Sequence, residues 1–567
     1  MFPLLVKDLL RYNRGRMNPV WSAFLKKQSS VRSAATILIT MVFASRVLGL
    51  IRDRLLAARF SPDELGVYLA AFRMPNLLFE LLVMGALTSA FIPVYTKYIT
   101  QGKEDGAQHI SQIIISCSLI ILIIIAIPIL IWTKQISYLI APGFSGSEIT
   151  QMVVFTRFMV VFQVIPLVIG NFFTGILQSH NLFIVPAVAP VVYNVGIILG
   201  IILLTPIVGL WAPVVGVGCG ALLFMGIQIP LLAKLGFRNK LSLDLANEGV
   251  REIGRLMVPR TIGLAVSQVD TTVDLVLSTL LGARMVTVFS FAQHLQQFPV
   301  GLFGATVAQA AFPLLSQASA TGDRERMKKT LVSGMNQIVF FIMPISVLFI
   351  VLRIPIVRLV FGASRFDWQA TVLTGMTLSA FSVSLSAQAL SQLVTRVFYA
   401  LFDTSTPVIV GVITILINTI LSIVFVSTYH FPVWSLGIST SIASVINAVV
   451  LLALLTKQFG AQSVLRMTVT PLKITIASLL TGIALYIPLK LFDQLVFDTT
   501  RTFGLILLTG VSTSIGLIVY LFLVWVLDVS EFKSFLLLLS RGRSLKNIIL
   551  EPAGEVVGNG GQNTPIS

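Results

Sequence analysis

The feature that most constrains this chain is a series of apolar runs that recurs from residue 33 to about residue 527. Each run is close to the ~20 residues that a helix needs to cross a bilayer. Only 11% of the residues are charged, whereas soluble domains average about 25%. The sequence therefore predicts an all-α polytopic membrane protein.

The polar breaks between these runs predict about fourteen spanning helices. In chain order they cover 33–58, 65–93, 108–132, 150–179, 183–205, 210–233, 252–281, 284–318, 328–353, 369–398, 405–428, 434–456, 469–492 and 502–527. Lys and Arg are concentrated in the N-terminal arm, 234–240, 322–329 and 540–546, and are almost absent from 204–211 and 427–434. By the positive-inside rule both termini are cytoplasmic, which requires an even number of spans.

The net charge of +17 does not indicate nucleic-acid binding in a chain of this class. In membrane proteins basic residues act as topology signals and lipid-surface contacts. Cys117 and Cys219 lie in separate apolar runs without a metal or redox spacing. They are interpreted as small packing residues.

An internal repeat organises the chain. The stretches AFIPVYTKYITQGKED (90–105) and AAFPLLSQASATGDRE (310–325) each place a glycine nine residues after a proline, 220 residues apart. They follow the second and eighth helices, as two six-helix units in the same orientation require. We therefore expect two parallel six-helix bundles facing each other around a central cavity.

This organisation predicts six segments. They are a basic cytoplasmic N-terminal segment (1–32), a first six-helix bundle (33–233), a basic cytoplasmic linker (234–251), a second bundle (252–456), two C-terminal helices (457–527) and a partly disordered cytoplasmic tail (528–567).

Helix 1 carries an unusual set of charges, which are Arg46, Arg52, Asp53, Arg54 and Arg59. A charge at a helix centre facing lipid costs about 2.5–3.5 kcal/mol on insertion scales. A polar cavity that receives an anion is one interpretation, strongest for Arg46. Snorkelling at the interface is the alternative for Arg52, Arg54 and Arg59.

Polar residues also mark helices 2 and 7. Arg73 and Glu80 share a face of helix 2, and either line a cavity or form a salt bridge to helix 1. A stripe on helix 7 either lines the cleft or bonds a neighbouring helix, since a polar stripe must avoid lipid. The stripe consists of Arg260, Ser267, Asp270 and Asp274.

Helices 8 and 10 carry further polar residues at helical spacing. Helix 8 provides Gln293, His294 and Gln297, and helix 10 provides Ser384, Gln388, Ser391, Gln392 and Thr395. Cavity lining and structural hydrogen bonding remain alternatives for both sets. The sequence contains no GxxxxGK[ST] loop, HExxH or GxSxG motif, so we expect a transporter that is coupled to an ion gradient or membrane potential. Asp270, Asp274 and Asp403 are carboxylates that could hold the cation.

Several stretches resemble the MurJ/MviN family of lipid II flippases, within the superfamily of multidrug and polysaccharide-lipid exporters. They are SRVLGLIRD (45–53), AFRMPNLL (71–78), GALTSAFIPV (85–94), APGF (141–144) and VFYALFDTSTPV (397–408). The resemblance, which extends over nearly the whole chain, implies a flippase and not an enzyme. It implies that lipid II, the lipid-linked peptidoglycan precursor, moves to the outer leaflet of the cytoplasmic membrane by alternating access.

The resemblance also implies roles for residues. Ser45, Arg46 and Arg52 match the family's cavity residues, and the expected substrate-binding set adds Asp53, Arg73, Arg260, Gln293, His294 and Gln297. Asp274, Asp403 and Thr419 match positions that bind sodium in some members, with Asp270 nearby; sodium or a proton would be the coupling ion, without any other cofactor. The last two helices would form a groove for the lipid tail. Membrane lipids and cell-wall synthesis proteins are further expected partners.

The chain departs from the family at several charged positions. Gly66, Phe79 and Met84 occupy positions where the family usually has charged residues. Gln293 and His294 occupy the positions of an Asp-Arg pair that the family usually has on helix 8. A protonated His294 would replace the missing Arg and make transport pH-dependent. The alternatives are an exporter of another lipid-linked glycan or of cationic drugs, and a non-transporting scaffold of cell-wall synthesis.

Overall fold

The computed structural model describes residues 31–84, 90–237, 240, 242–362, 364–459, 462–495, 502–533 and 535–536. The predicted N-terminal surface segment and disordered tail therefore lie largely outside the described residues. Within them the chain forms helices α1 to α18. These are α1 (Val31–Arg59), α2 (Pro62–Val83), α3 (Ile92–Thr100), α4 (Glu104–Ile131), α5 (Thr133–Ile140), α6 (Gly146–Ser179), α7 (Ile184–Val208), α8 (Trp211–Lys234), α9 (Glu248–Leu280), α10 (Ala283–Ala320), α11 (Arg324–Val351), α12 (Arg353–Phe361), α13 (Trp368–Ser382), α14 (Leu385–Ala400), α15 (Ser405–Thr428), α16 (Trp434–Phe459), α17 (Gln462–Leu495) and α18 (Thr502–Val526).

The predicted apolar runs lie in helical parts of the chain, and the all-α membrane class is confirmed. The run 369–398 is divided between α13 and α14, which are bent by 43°, and the run 65–93 extends beyond α2 into α3. In the described part of the chain, eleven helices are long and apolar enough to cross a membrane, or twelve if the bent pair α13 and α14 forms one span. The predicted number of fourteen is therefore not confirmed. Helices α1 and α9, which have 29 and 33 residues, are not in this count.

The internal repeat is visible in the backbone. Gly102 and Gly322 both adopt a left-handed conformation, with φ of 71° and 68°. The next residue in each case donates a hydrogen bond five residues back, from Lys103 to the carbonyl of Tyr98 and from Asp323 to that of Ala318. This is the pattern of a Schellman turn, which satisfies the last carbonyls of a helix.

The repeat extends to irregular elements that sequence analysis did not predict. The π-helical segment Glu80–Met84 corresponds to Val300–Ala305, and short helix α5 corresponds to α12, at the same offset of 220 residues. A π-helical turn inserts one residue into the helical ladder, so that the faces on its two sides change register.

At one end of the molecule the two bundles share a hydrophobic core. Leu56 and Leu65 of the first bundle pack in one cluster with Val286, Phe291 and Phe361 of the second. We call this end, where α1 ends and α2 and α10 begin, the shared-core face. Helices in a bilayer associate through close van der Waals packing and interhelical hydrogen bonds, and such a core provides this packing between the bundles at this end.

At the opposite end, which we call the divided face, the bundles have separate cores. Phe91 and Phe172 belong to a cluster of the first bundle, and Leu315 and Phe398 belong to a cluster of the second. The first turns of α9 pack with the first bundle, although the predicted boundary assigns α9 to the second. Helices α17 and α18 pack against α11.

Polar contacts between the bundles reinforce the shared-core face. Arg284 at the start of α10 lies 3.0 Å from the carboxylate of Asp63 at the start of α2. The same guanidinium lies 2.6 Å from the carboxylate of Asp367, which also accepts a backbone hydrogen bond at the start of α13. The Thr287 hydroxyl donates to the carbonyl of Pro62 at 2.6 Å. One arginine therefore joins a carboxylate of each bundle.

Candidate functional site

A cavity of about 330 Å³ lies between the bundles, toward the shared-core face, and we call it the charged cavity. Five helices contribute to its wall: α1, α2, α7, α9 and α10. Its lining residues are Arg52, Asp53, Leu56, Tyr68, Leu69, Phe72, Arg73, Asn76, Tyr193, Thr271, Leu275, Phe289, Ser290, Gln293 and His294. Five of the predicted substrate-binding residues are thus brought together: Arg52, Asp53, Arg73, Gln293 and His294.

A chain of three ionisable groups forms one side of the charged cavity. The guanidinium of Arg52 donates to one carboxylate oxygen of Asp53 through Nε at 3.0 Å and Nη2 at 2.9 Å. The other oxygen of Asp53 lies 2.7 Å from Nδ1 of His294. Asp53 is only 2% exposed, so it positions the side chains of Arg52 and His294 and is not itself accessible to an anion.

Asn194 of α7 is a contributor to this site that sequence analysis missed. Its Oδ1 accepts from Arg52 at 3.4 Å, and its Nδ2 donates to the hydroxyl of Ser45 at 3.1 Å. Ser45 therefore acts through Asn194 and does not line the cavity. The available signal was a polar residue, next to Tyr193, in an otherwise apolar spanning helix.

Glycine contacts hold α7 in this position. Gly196 and Gly200 of α7 face Gly216 and Gly220 of α8, and an added Cβ at Gly196 or Gly200 would lie 2.5 Å from the opposing glycine Cα. Such spacing of small residues lets the backbones of membrane helices approach closely. The substitution of any of these glycines would move Asn194 relative to Arg52.

Arg73 forms the other cationic side of the charged cavity and is 8% exposed. It donates to the hydroxyl of Thr272 at 2.9 Å and to the carbonyl of Gln268 at 2.6 Å. The amide of Gln268 also donates to the carboxylate of Glu80. The predicted salt bridge of this pair to helix 1 is therefore wrong, because the hydrogen bonds join α2 to α9.

Arg46 does not line the charged cavity, contrary to the expectation that it is the central anion-binding charge. Its Nη1 donates to the backbone carbonyl of Gln297 at 3.4 Å. An added Cβ at Gly301 would lie 2.5 Å from Nη2 of Arg46. The guanidinium thus lies against the π-helical turn of α10. The side chain of Gln297, also predicted to bind substrate, is exposed and does not line the cavity.

Arg54 also contacts the second bundle, by donating to the carbonyl of Leu359. It is therefore a contact of the shared-core face and not a simple interface anchor. Arg59 is exposed. Arg260 and Ser267 lie on α9, but their side chains are outside the described part of the structure.

Two carboxylates of α9 face α15 and not the charged cavity. The Nδ2 of Asn418 donates to Asp270 at 2.9 Å and lies 3.5 Å from Asp274. Asp274 is 4% exposed, and the Oδ1 of Asn418 is buried without a hydrogen-bond partner in the described residues. The sequence left two alternatives for this stripe, lining the cleft or bonding a neighbouring helix. For Asp270 and Asp274 the structure shows the second.

The predicted sodium ligands are only partly brought together. Thr419 follows Asn418, whose side chain lies 3.5 Å from Asp274. Asp403 precedes α15 and is separated from Asn418 by about 20 Å of helix rise. Asp403 instead accepts from the hydroxyl of Thr406 at 2.6 Å and from its backbone N–H at 3.0 Å. These bonds lower the pKa of Asp403 below its ordinary value. Among the described residues, no group of three or more His, Cys, Asp or Glu side chains could hold a metal ion.

Gly66 explains one of the missing family charges. An added Cβ there would lie 1.8 Å from the carbonyl oxygen of Ala283, so no side chain fits between α2 and α10. Phe79 packs against a core of the first bundle. The side chain of Met84 is outside the described part.

A second cavity, of about 800 Å³, lies within the second bundle toward the divided face, and we call it the amide cavity. Its polar lining consists of four carboxamides, four hydroxyls and one guanidinium, from Gln309, Gln388, Gln392, Asn447, Ser391, Thr395, Tyr399, Ser444 and Arg396. It includes four of the five residues of the predicted helix 10 stripe. The fifth, Ser384, is buried and accepts from Gln388 at 2.9 Å.

Comparison with known proteins places this architecture in a family. The family model described as "Lipid II flippase MurJ" matches residues 63–504. A relative from Bdellovibrio bacteriovorus, named "Probable lipid II flippase MurJ", is 27% identical over 524 residues, which cover 90% of this chain and 97% of the relative. The "Lipid II flippase MurJ" of Burkholderia cenocepacia is 25% identical, over 72% of this chain and 80% of that protein.

Solved structures show the same fold. One described as "Lipid II flippase MurJ, inward closed conformation" matches with a TM-score of 0.72 and 24% identity, covering 87% of this chain and 98% of that one. An inward-facing multidrug resistance transporter of the MATE family matches with a TM-score of 0.62 and 14% identity, over 75% and 95% of the two chains.

Proposed function

The chain belongs to the MurJ family of lipid II flippases, and we propose that it moves lipid II from the inner to the outer leaflet of the cytoplasmic membrane. The charged cavity is the observation that supports this function for these particular residues. It presents Arg52, Arg73 and His294 against one carboxylate, that of Asp53. With His294 neutral or protonated, the charged lining residues carry a net positive charge.

The chemistry of arginine suits the pyrophosphate of such a substrate. A guanidinium offers several N–H donors in a planar fork that matches phosphate oxygens, and it remains charged in a partly buried site. Asp53 orients Arg52 toward the cavity, and Asn194 supports it from α7. A drug exporter for cationic molecules would instead favour an acidic cavity. The scaffold alternative, predicted from lost family charges, is weaker because a cationic cavity remains.

The arrangement of the cores supports alternating access. With both termini cytoplasmic, as the basic segments predict, the divided face is the inner one and the shared-core face is the outer one. Substrate would then enter between the separately packed ends of the bundles. Transport would require the shared core and the Arg284–Asp63 contact to open, while the ends at the divided face approach each other.

A coupling cation is proposed at Asp270, Asp274 and Asn418. The two carboxylates share one carboxamide, and the unpaired Oδ1 of Asn418 provides a further oxygen that could contact a small cation or a protonated carboxyl. Asp274→Asn should weaken the cation dependence of transport in proteoliposomes, whereas Asp403→Asn should leave it unchanged. An equal response of the two variants would refute this assignment.

The central test uses Arg52 in cells depleted of their own flippase. We expect Arg52→Gln to reduce rescue at least about tenfold, because charge-assisted hydrogen bonds contribute about 1.5–3 kcal/mol each. Arg157→Gln is the matched control, since Arg157 of α6 donates to the carbonyl of Leu130 and lines neither cavity. Membrane levels are measured by immunoblot, and precursor exposure at the outer leaflet is measured directly.

Full rescue by Arg52→Gln at normal membrane levels would contradict the assignment of the charged cavity. Unchanged precursor exposure after removal of the whole protein would contradict the flippase function itself and favour the scaffold.

A further inference from the structure

We propose that the amide cavity binds the stem peptide of the lipid-linked substrate, through peptide amides and a terminal or side-chain carboxylate. This inference rests on the proposed flippase function, and it assigns a different part of the substrate to a different part of the molecule. It is carried by the polar groups that line the cavity and by the position of Arg396.

The lining of the amide cavity suits an uncharged chain that is rich in hydrogen-bonding groups. Its carboxamides and hydroxyls each offer both donors and acceptors, and they surround a volume of about 800 Å³. Apolar surface, including that of Leu264, Ala305, Ala308 and Val408, lies beside these polar groups. A lipid tail would leave the polar groups unsatisfied, which costs free energy for each group.

Two atoms of the wall lack hydrogen-bond partners in the described part of the chain. The Oγ of Ser391 and the Oδ1 of Asn447 are buried without a partner, and the Ser391 side chain is 8% exposed. Buried polar groups in native proteins are almost always hydrogen-bonded. Neither atom has accessible surface in this conformation, so a peptide N–H could reach the carboxamide oxygen of Asn447 only after that side chain turns toward the cavity.

Arg396 is the charged residue among the described groups that line the amide cavity. Its guanidinium carbon lies 5.4 Å from the ring centroid of Phe312. A stacked guanidinium keeps its N–H groups in the plane of the fork, where they match a carboxylate. A single positive charge amid neutral amides indicates a ligand with an anionic group on an otherwise uncharged chain. This description favours the peptide over the saccharide, whose hydroxyls need no cation.

The two cavities are placed for one elongated ligand. Gln309 in the amide cavity follows His294 in the charged cavity along α10, at about 22 Å of helix rise. Between them, Gln296 of α10 donates to Gln388 of α14 at 2.7 Å. A substrate whose pyrophosphate lies beside Arg52 can therefore extend its headgroup toward Arg396.

The test is a binding experiment with the full-length protein in lipid nanodiscs. The probes are lipid II with its stem peptide, the same lipid-linked disaccharide without the peptide, and polyprenyl pyrophosphate. Arg396→Gln should lower the affinity for complete lipid II about tenfold and leave the other two affinities within about twofold. Arg396→Lys should restore part of the loss, because it keeps the charge. Arg157→Gln is the control.

Each of the other outcomes would contradict a specific part of the proposal. Equal losses for lipid II and the peptide-free disaccharide would assign the cavity to the glycan, and equal losses for all three probes would indicate a structural role for Arg396. Unchanged affinities in Arg396→Gln would remove the site. If the wild-type protein binds none of the three probes, the proposed function fails, which is distinct from selective failure of the peptide site.

Discussion

The charged cavity and the amide cavity differ in how their polar groups are satisfied. In the charged cavity, the buried carboxylate of Asp53 engages both Arg52 and His294, so these three side chains form a connected network. In the amide cavity, Ser391 and Asn447 retain buried acceptors without partners among the described residues. The first is therefore organised by contacts within the protein, whereas the second keeps polar groups that such contacts leave unpaired.

This difference affects the free energy of ligand binding in each cavity. A preorganised site binds a highly charged group without paying for side-chain ordering at that moment, which is the main benefit of preorganisation. A site of neutral amides and hydroxyls discriminates through the cost of leaving a buried group unpaired. We infer that the charged cavity provides affinity and that the amide cavity provides selectivity.

The largest effect is expected at Asp53, where the charged network can be broken. Asp53→Ala removes the shared partner of Arg52 and His294, and breaking a buried ion pair typically costs about 3–5 kcal/mol. We expect loss of transport together with a lower thermal unfolding temperature in detergent. Asp403→Ala provides a carboxylate control at a half-buried position outside both cavities. Unchanged unfolding temperature in Asp53→Ala would show that the network does not organise the cavity.

A smaller effect is expected when the charge of His294 is changed. His294→Gln keeps a side-chain donor toward Asp53 but cannot become cationic, so transport should fall about tenfold. His294→Arg restores the charge that the family usually has near this position, and it should retain more activity than His294→Gln. Transport rates in proteoliposomes measure both. The opposite order would indicate that the imidazole is required for its shape or hydrogen bonding.

The two cavities are expected to differ in their access from the shared-core face, and weakening an ion pair at that face tests this difference. Asp63→Asn removes one ion pair of Arg284, and an exposed pair contributes at most about 1 kcal/mol. The measurement uses a protein in which Cys117 and Cys219 have been replaced. A thiol-reactive reagent added at the shared-core face should label Ser290→Cys a few-fold faster when Asp63→Asn is also present. Labelling of Ser391→Cys in the amide cavity should not increase. Equal increases at both positions would show that the two cavities open together.

The smallest effect is expected outside both cavities, at Asp403. Its pKa is lowered by Thr406, so its stabilising contribution is present at neutral pH and is lost as the pH falls through that lowered value. Asp403→Asn should therefore leave transport unchanged and cost at most about 0.5 kcal/mol, the low end for a helix-capping contact. Thermal unfolding at neutral pH measures this. A marked loss of transport would return Asp403 to the functional site.

The positions of the helices could be predicted because apolar length and basic connections follow directly from the bilayer. The repeat could be predicted from Gly102 and Gly322, since a left-handed turn favours glycine strongly. The partners of single charges could not be predicted in the same way. Whether Arg46 or Arg52 reaches the cavity depends on the rotation of α1 against α10, and the π-helical turn Val300–Ala305 changes the face that α10 presents.

The sodium set illustrates a second limit. Asp274 contacts Asn418, the residue before Thr419. Asp403 precedes the first turn of α15, and no spacing in the sequence indicates where that helix begins relative to α9. Asn418 was missed because a single Asn in an apolar run has many structural explanations. Arg284 was missed because its two partners, Asp63 and Asp367, come from distant parts of the chain.

The close contact at Gly66 limits which side chains the start of α2 can carry. A Cβ at this position would meet the carbonyl oxygen of Ala283. Any larger residue would therefore hold the start of α2 away from the start of α10, at the end of the molecule where the two bundles share a core. Glycine at position 66 is thus a requirement for closing this face tightly, and a larger residue there would act as a wedge that favours the open face.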